Sequence, residues 1–163
     1  MTAAYEIRKY TKTDYDVFKK MFTSYFIKDV DEHLTDEEFD SVCRDIETSA
    51  EKQIVCLDLL FIADIAKGFI EYQIDSPESD WCEKEGYGMM RELYIDHDIR
   101  KMGYGRKLVV HSEKHLINNL SVSDVYLTAS KCAIPFWVQM GYHDSGEICL
   151  KNEQKIYIKQ VKP

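Results

Sequence analysis

Hydrophobic positions near the start of the chain follow first a two-residue and then a helical period. Tyr5 and Ile7 alternate with polar neighbours over residues 5–10, which predicts a strand. Thr11 supplies an N-cap with Asp14 three residues later, close to a capping box, and predicts the start of a helix. That helix would bury one stripe of residues spaced three and four apart: Tyr15, Phe18, Phe22, Tyr25 and Phe26.

A second helix is predicted after Thr35, which has Glu38 in the capping-box position. Its apolar face would comprise Phe39, Val42, Cys43 and Ile46. The period then changes, because residues 54–62 and 66–74 are β-branched and aromatic runs. A turn near residues 63–64 separates them, so they predict an antiparallel hairpin.

Strands and helices alternate in the second half of the chain. A loop over residues 75–86 leads to a fourth strand at 88–95. A helix over 103–119 would carry four residues inward: Leu108, Val109, Leu116 and Leu120. The remaining predicted elements are a strand at 124–128, a short helix at 133–140 ended by Gly141, and strands at 142–150 and 154–161.

The element order β-α-α-β-β-β-α-β-α-β-β predicts an α/β (α+β) fold with a mixed, mostly antiparallel sheet of about seven strands and helices on both faces. The fourth strand, third helix and fifth strand should form a right-handed parallel crossover. With 163 residues, the chain is expected to form a single domain, 1–163.

Charge, hydropathy and cysteine spacing disfavour several classes of protein. A formal net charge of −8 disfavours binding to nucleic acid through overall positive charge. The most apolar stretch, residues 54–63, is too short to span a membrane. Glu6, Arg8 and Lys9 stand where a secretion signal would be apolar, so we expect a cytoplasmic protein. The five scattered cysteines lack a C-x-x-C pair and are expected to be reduced and mostly buried.

The segment that carries chemistry lies between the fourth strand and the third helix. Four bases and no acid fall within residues 100–107 of an otherwise acidic chain. Residues 102–105 are predicted to form the first helical turn, where backbone N–H groups lack partners and the helix dipole favours anions. Gly103 and Gly105 would let phosphate oxygens approach the main chain, and Arg100 could fork onto the anion. The absence of G-K-[ST] and of a third glycine after Gly86-Tyr-Gly88 disfavours ATP and NAD.

Two motifs resemble those of the GNAT superfamily of N-acetyltransferases. Leu93-Tyr-Ile95 followed by Arg100-x-x-Gly103-x-Gly105 is similar to its acetyl-CoA motif, and residues 133–142 are similar to its A-x-x-F-Y-x-x-x-G-F motif. The resemblance implies that acetyl-CoA is the co-substrate, with no metal, and that the fourth strand splays from the fifth. It implies that pantetheine lies along Leu93, Tyr94 and Ile95, and that pyrophosphate sits on Arg100, Lys101, Met102, Gly103, Tyr104, Gly105 and Arg106.

The chain departs from the family at two positions. Ser130 stands where members often have an asparagine that contacts CoA, and Trp137 stands where a tyrosine protonates the departing thiolate. An indole cannot usefully donate that proton. Because a thiol with a pKa of about 8.5 leaves readily near neutral pH, an acid would help only modestly. The sequence therefore names no general acid.

A base is needed because an alkyl amine, with a pKa of about 10.4, arrives mostly as ammonium. Glu92 is the first candidate, at a position where family members often place a carboxylate that acts through water, and Glu71 is the second. A surface carboxylate paired with Arg91 or a lysine is the structural alternative for Glu92. A backbone N–H near residues 93–95 would hold the oxyanion.

Three other features admit two interpretations. His111 and His115 lie one helical turn apart, but H-x-E-x-H differs from the zinc motif H-E-x-x-H and favours a solvated face. Residues 29–51 carry ten acids and one base, which suits either a solubilising face or steering of a cationic acceptor. Trp81 could line the acceptor pocket or pin its loop.

The sequence as a whole predicts transfer of acetyl from acetyl-CoA to a primary amine of a small molecule, with a polyamine or amino sugar as cationic examples. The alternatives are a protein N-terminus or lysine as the acceptor, or a noncatalytic acyl-CoA-binding module. The oligomeric state stays open, a homodimer included.

Overall fold

A computed structural model describes residues 3–162 of the chain. The strands are β1 (Tyr5–Lys9), β2 (Cys56–Ile62), β3 (Ile65–Ile74), β4 (Gly88–Ile95), β5 (Asp124–Thr128), β6 (His143–Ile148) and β7 (Lys155–Gln160). The helices are α1 (Tyr15–Tyr25), α2 (Asp36–Glu51), α3 (Tyr104–Leu120) and α4 (Ile134–Gln139). Short 3-10 turns at Lys12–Asp14 and His97–Ile99 and a π-helical turn at Phe26–Val30 complete the order.

The strands form one mixed sheet in the order β1-β2-β3-β4-β5-β7-β6. The β1–β2, β5–β7 and β6–β7 pairs are antiparallel, whereas β4 and β5 are parallel, with Gly88 opposite Val125 and Met89 opposite Tyr126. The predicted element order and the mixed, mostly antiparallel sheet are confirmed.

The predicted local signals for the first elements are also confirmed. Capping boxes at Thr11 and Thr35 begin the 3-10 turn before α1 and helix α2. The hairpin turns at Ala63 and Asp64, whose φ angles of 47° and 63° give the backbone twist that a two-residue β-hairpin needs.

The chain divides into two compact units. The first contains the described residues up to Glu71 together with Glu92–Leu108. Its core is rich in aromatic rings: Phe18 meets Phe69 edge to face at 5.2 Å between centroids, and Phe69 stacks on Tyr94 at 5.7 Å. These rings pack α1 onto the sheet strands of this unit, with offset and edge-on geometries that rings prefer.

The second unit contains Tyr72–Arg91 and the described residues from Val109 onward. The core is tightly packed at Gly88, where a Cβ would lie 3.0 Å from Leu116 Cδ1 and 3.1 Å from Val125 Cγ2, so that these side chains would have to shift to admit it. The buried Asp75 accepts hydrogen bonds from the Tyr126 hydroxyl and, at 2.9 Å each, from the backbone N–H groups of Glu83 and Lys84. This carboxylate therefore organises the loop between β3 and β4.

Three sequence predictions need correction. Leu120 is 38% exposed, because Ser121 adopts a positive φ of 56° and Val122, whose N–H bonds the Leu116 carbonyl at 3.0 Å, takes the buried place. Helix α3 begins at Tyr104, so Met102 lies outside it. The five cysteines form no disulfide but are not mostly buried: Cys43 and Cys149 are buried, Cys56 and Cys82 half-buried, and Cys132 exposed.

Within residues 3–162, none of the helices combines the length and the apolar composition that a bilayer span requires.

Candidate active site

The turn that opens α3 is held open to solvent by its backbone. Lys101 and Gly103 have positive φ angles of 63° and 89°, and Gly103 is exposed. A Cβ built on Gly103 would meet no heavy atom within 4 Å. The Gly103 carbonyl accepts the Lys107 N–H at 3.2 Å, which makes this glycine the N-cap. The N–H groups that follow have no acceptor within the helix, so the turn fits an anion that approaches from solvent.

The side chains around this turn divide into an anchor and a basic rim. Tyr104 is buried and meets Tyr5 edge to face at 6.1 Å, which fixes the helix start in the first unit. Lys101 and Arg106 are exposed, and the Lys107 Nζ lies 4.6 Å from the centre of the Tyr5 ring. The predicted concentration of positive charge is therefore present on the solvent side of the turn.

Arg100 is engaged by the protein itself. Its Nε donates to the Ile95 carbonyl at 2.8 Å, and its two terminal nitrogens donate to the Asp29 carboxylate at 2.9 and 2.7 Å. The hydrogen bonds that Arg100 donates to Asp29 raise the pKa of Arg100 above its ordinary value. An anion that recruits this guanidinium must exchange with a carboxylate, which sequence spacing gave no means of foreseeing.

The side chains at the end of β4 are packed within the protein. Tyr94 and Ile95 are buried and Leu93 is half-buried. The Tyr94 hydroxyl donates to the Ser24 Oγ at 3.3 Å. Gly68 on β3 lies so close that a Cβ there would be 2.7 Å from the Tyr94 carbonyl oxygen, so only glycine permits this strand approach.

Glu92 has a partner that sequence analysis placed only in an apolar stripe. The hydroxyl of Tyr25, the last residue of α1, donates to Glu92 Oε2 at 2.6 Å. Burial and the Glu92 charge raise the pKa of Tyr25 well above its usual range. The only signal in the sequence is that a buried phenol needs a hydrogen-bond partner. Glu71, the second candidate base, is buried on β3.

Arg91, the partner considered for Glu92 in the structural alternative, forks onto Asp80 at 2.7 and 3.2 Å and donates to Gln73 at 2.7 Å. These contacts tie Arg91 to the β3–β4 loop.

Ser130 and Trp137 belong to the second unit. Ser130 is exposed, and its carbonyl accepts the N–H of Ala133 at 3.0 Å at the entry to α4. Trp137 is buried and meets Phe136 and Tyr142 edge to face at 5.0 and 5.4 Å. The indole therefore has a packing role there, and the contact of Ser130 with CoA stays a prediction.

Comparison with known proteins decides the family. The sequence profile described as "Acetyltransferase (GNAT) domain" matches residues 31–156. The chain belongs to the GNAT acetyltransferase family. The reaction of this family is the transfer of an acetyl group from acetyl-CoA. No protein with a curated description matches the sequence at a significant level.

Solved GNAT structures share the fold at low sequence identity. The PaiA N-acetyltransferase of Thermoplasma acidophilum, in complex with coenzyme A, has a TM-score of 0.72 at 15% identity over 96% of this chain and 99% of that one. A GNAT acetyltransferase of Staphylococcus aureus has a TM-score of 0.76 at 13% identity over 98% and 100%. The SpeG spermidine N-acetyltransferase of Vibrio cholerae has a TM-score of 0.70 at 12% identity over 96% and 94%.

The acidic segment, residues 29–51, is partly neutralised by ion pairs. Four of its ten acids form ion pairs of 2.7–3.2 Å with bases from this or other elements: Asp29 with Arg100, Asp36 with Lys19, Glu47 with Arg44, and Glu51 with Lys12. Asp31, Glu32, Glu37 and Asp45 are exposed. The electrostatic steering considered for the whole segment thus depends on a smaller set of acids.

His115 and Trp81 both have partners within the second unit. The His115 Nδ1 lies 2.9 Å from the Asn119 amide, one turn along α3. In the part of the chain that the structure describes, no three His, Cys, Asp or Glu side chains are grouped to hold a metal. The Trp81 ring packs against the core around Met89, and its carbonyl accepts the Gln73 amide at 2.7 Å, which supports the role of pinning the loop.

Proposed function

We propose that this protein transfers an acetyl group from acetyl-CoA to the primary amine of a small molecule. The observation that carries the proposal is the open, basic turn before α3, which is separated from the strand that bears Glu92 only by the 3-10 turn at His97–Ile99. Family membership supplies the reaction class. The class of acceptor amine is inferred from exposed acids in the first unit, Asp31, Glu32 and Glu37.

The diphosphate of CoA is assigned to the turn. The N–H groups after Gly103, the positive end of the α3 dipole and the exposed bases Lys101 and Arg106 all favour negative charge there. Pantetheine is assigned to the backbone of residues 93–95. When bound, acetyl-CoA supplies a thioester that is activated toward amines.

Glu92 is assigned the role of base. It removes a proton from the acceptor ammonium, directly or through water, so that the nitrogen lone pair can attack the thioester carbonyl carbon. The carbon–sulfur bond of the resulting tetrahedral intermediate breaks, and sulfur leaves as a thiolate without an obligatory acid, because the pKa of its thiol is ordinarily about 8.5. The nitrogen loses its remaining extra proton to water, and the thiolate takes up a proton from water. This assignment accounts for an enzyme in which Trp137 replaces the family tyrosine.

A cationic acceptor is favoured by charge. The exposed acids Asp31, Glu32 and Glu37 lie on and just before α2, and the chain carries a net charge of −8. A polyamine or an amino sugar would be attracted to such a surface over distances of about a Debye length.

The decisive experiment combines calorimetry with turnover. Acetyl-CoA should bind in isothermal titration, and a panel of polyamines, amino sugars and lysine-bearing peptides should reveal thiol release with at least one small amine. Binding without turnover on any amine would identify a noncatalytic module. Turnover restricted to peptides would identify a protein acceptor, and absence of binding at millimolar acetyl-CoA would reject the assignment of the turn.

A further inference from the structure

We propose that Tyr25 is a positioning residue that fixes the carboxylate of Glu92 for proton abstraction from the acceptor amine. This inference rests on the proposed function, in which Glu92 is the base. The observation behind it is the 2.6 Å hydrogen bond from the Tyr25 hydroxyl to Glu92 Oε2, formed between residues 67 positions apart in the chain.

The Tyr25 ring is held on several sides. It meets Phe26, Phe69 and Tyr94 edge to face at centroid distances of 5.4, 6.1 and 6.2 Å. Phe69 and Tyr94 are themselves stacked on one another and buried. A ring clamped in this way has a fixed direction for its hydroxyl, and the carboxylate that accepts the hydrogen bond is fixed with it.

The hydroxyl remains a donor at every pH at which the enzyme could work. Burial and the charge of Glu92, with smaller contributions from Asp29 and Glu71, raise the pKa of Tyr25 far above its ordinary value. Asp29 is paired with Arg100, and Glu71 is buried on β3. A hydrogen bond to the ionised form of a carboxyl favours that form. The hydrogen bond from Tyr25 therefore favours the carboxylate form of Glu92, which is the form that can accept a proton.

Tyr15 provides a matched control. It also lies on α1, and its buried ring also donates a hydroxyl hydrogen bond to a carboxylate, that of Asp40 on α2. The Y15F substitution removes a comparable hydrogen bond from a hydroxyl to a carboxylate, and it leaves the hydrogen bond to Glu92 in place. Y15F therefore separates a general loss of packing from a specific effect on the base.

The test is a double-mutant cycle of Y25F and E92Q, followed by kinetics with the amine that gives turnover. Y25F should lower kcat about tenfold, leave KM for acetyl-CoA unchanged, and move the acidic limb of the pH–rate profile upward by about one pH unit. In the E92Q background, Y25F should change kcat less than twofold, because its effect passes through Glu92. Y15F should keep wild-type kinetics.

The outcomes distinguish failure of the positioning role of Tyr25 from failure of Glu92 as the base. If E92Q is impaired and Y25F is not, or if the two losses multiply in the double variant, the positioning role is rejected while Glu92 stands as the base. If E92Q keeps wild-type kcat, or if no amine turns over, both assignments are rejected. An independent readout is the ¹³C titration of the Glu92 carboxyl, whose midpoint should rise in Y25F; an unchanged midpoint would reject the role even in a weakly active variant.

Discussion

At the scale of single residues, several charged side chains of the first unit pair with partners from other elements. Arg8 on β1 forks onto Asp14 at 2.8 Å through each nitrogen, and Asp14 also accepts the Thr11 N–H. The hydrogen bonds from Arg8 lower the pKa of Asp14 despite its burial. The strand and the first helical turn are thus joined by an ionised carboxylate.

Replacing Asp14 with asparagine tests this contact. Since the folded-state pKa is depressed, the carboxylate stabilises the protein above the unfolded-state pKa of about 3.9, and this stability is lost as the pH falls through the folded-state value. D14N should lower the free energy of unfolding by about 1–3 kcal/mol at pH 7. In urea titrations the difference should shrink below about pH 4. D16N, at an exposed position, should stay within about 0.5 kcal/mol of wild type.

A second residue-scale prediction concerns the pair between Asp29 and Arg100. If the guanidinium serves the CoA diphosphate, Asp29 competes with it and also repels the anion. R100A should weaken CoA binding about tenfold, whereas D29N should tighten it several-fold, both measured by titration calorimetry. Weaker binding in D29N would show that Asp29 holds the guanidinium in its binding orientation.

At the scale of elements, the proposed CoA site depends on how helix α3 begins. The helix begins immediately after a glycine with positive φ, and its first buried anchor is Tyr104. The side of the turn that faces solvent consequently carries backbone N–H groups, whereas the tyrosine ring supplies the packing. The proposed diphosphate site therefore depends on the glycine turn and the buried tyrosine together.

Gly103→Ala tests the seat, with Gly146→Ala as its control. Both glycines have positive φ, 89° and 82°, and neither has a heavy atom within 4 Å of a built Cβ. Each substitution should therefore cost a similar conformational penalty of about 1–2 kcal/mol in thermal or urea unfolding. Only G103A should weaken CoA binding, because only its methyl group would obstruct the approach of a phosphate. Equal CoA affinity in the two variants would place the diphosphate elsewhere.

At the scale of the whole molecule, the excess of acids has two consequences. It opposes nonspecific binding of polyanions, so the proposed CoA site depends on the local concentration of bases at residues 100–107. It also attracts cations toward the exposed acids near α2. Several acids of that segment are already paired, which makes the remaining attraction moderate and dependent on salt.

Ionic strength should therefore distinguish acceptors by charge. At saturating acetyl-CoA, KM for a triamine should rise between 20 and 300 mM salt, on the order of several-fold, while KM for a monoamine of similar length changes less. Steady-state kinetics at constant pH measures both. An equal response of the two amines would favour the interpretation of the acidic segment as a solubilising face.

Sequence reasoning succeeded where the determining interactions are local. The capping boxes at Thr11 and Thr35, the hairpin turn and the parallel unit of β4, α3 and β5 depend on neighbours within a few positions or on hydrophobic period. It failed at Leu120, because the end of a helix depends on where the following backbone turns back.

Periodicity, caps and glycine placement were thus enough to specify the order of elements and a basic glycine turn, since these are properties of short stretches of chain. The partners of the candidate site were decided only by the tertiary structure. Tyr25 reaches Glu92 and Asp29 reaches Arg100 across 67 and 71 residues. Such contacts follow from strand order, register and helix placement, which bring distant side chains within 3 Å but leave no periodic trace in the sequence.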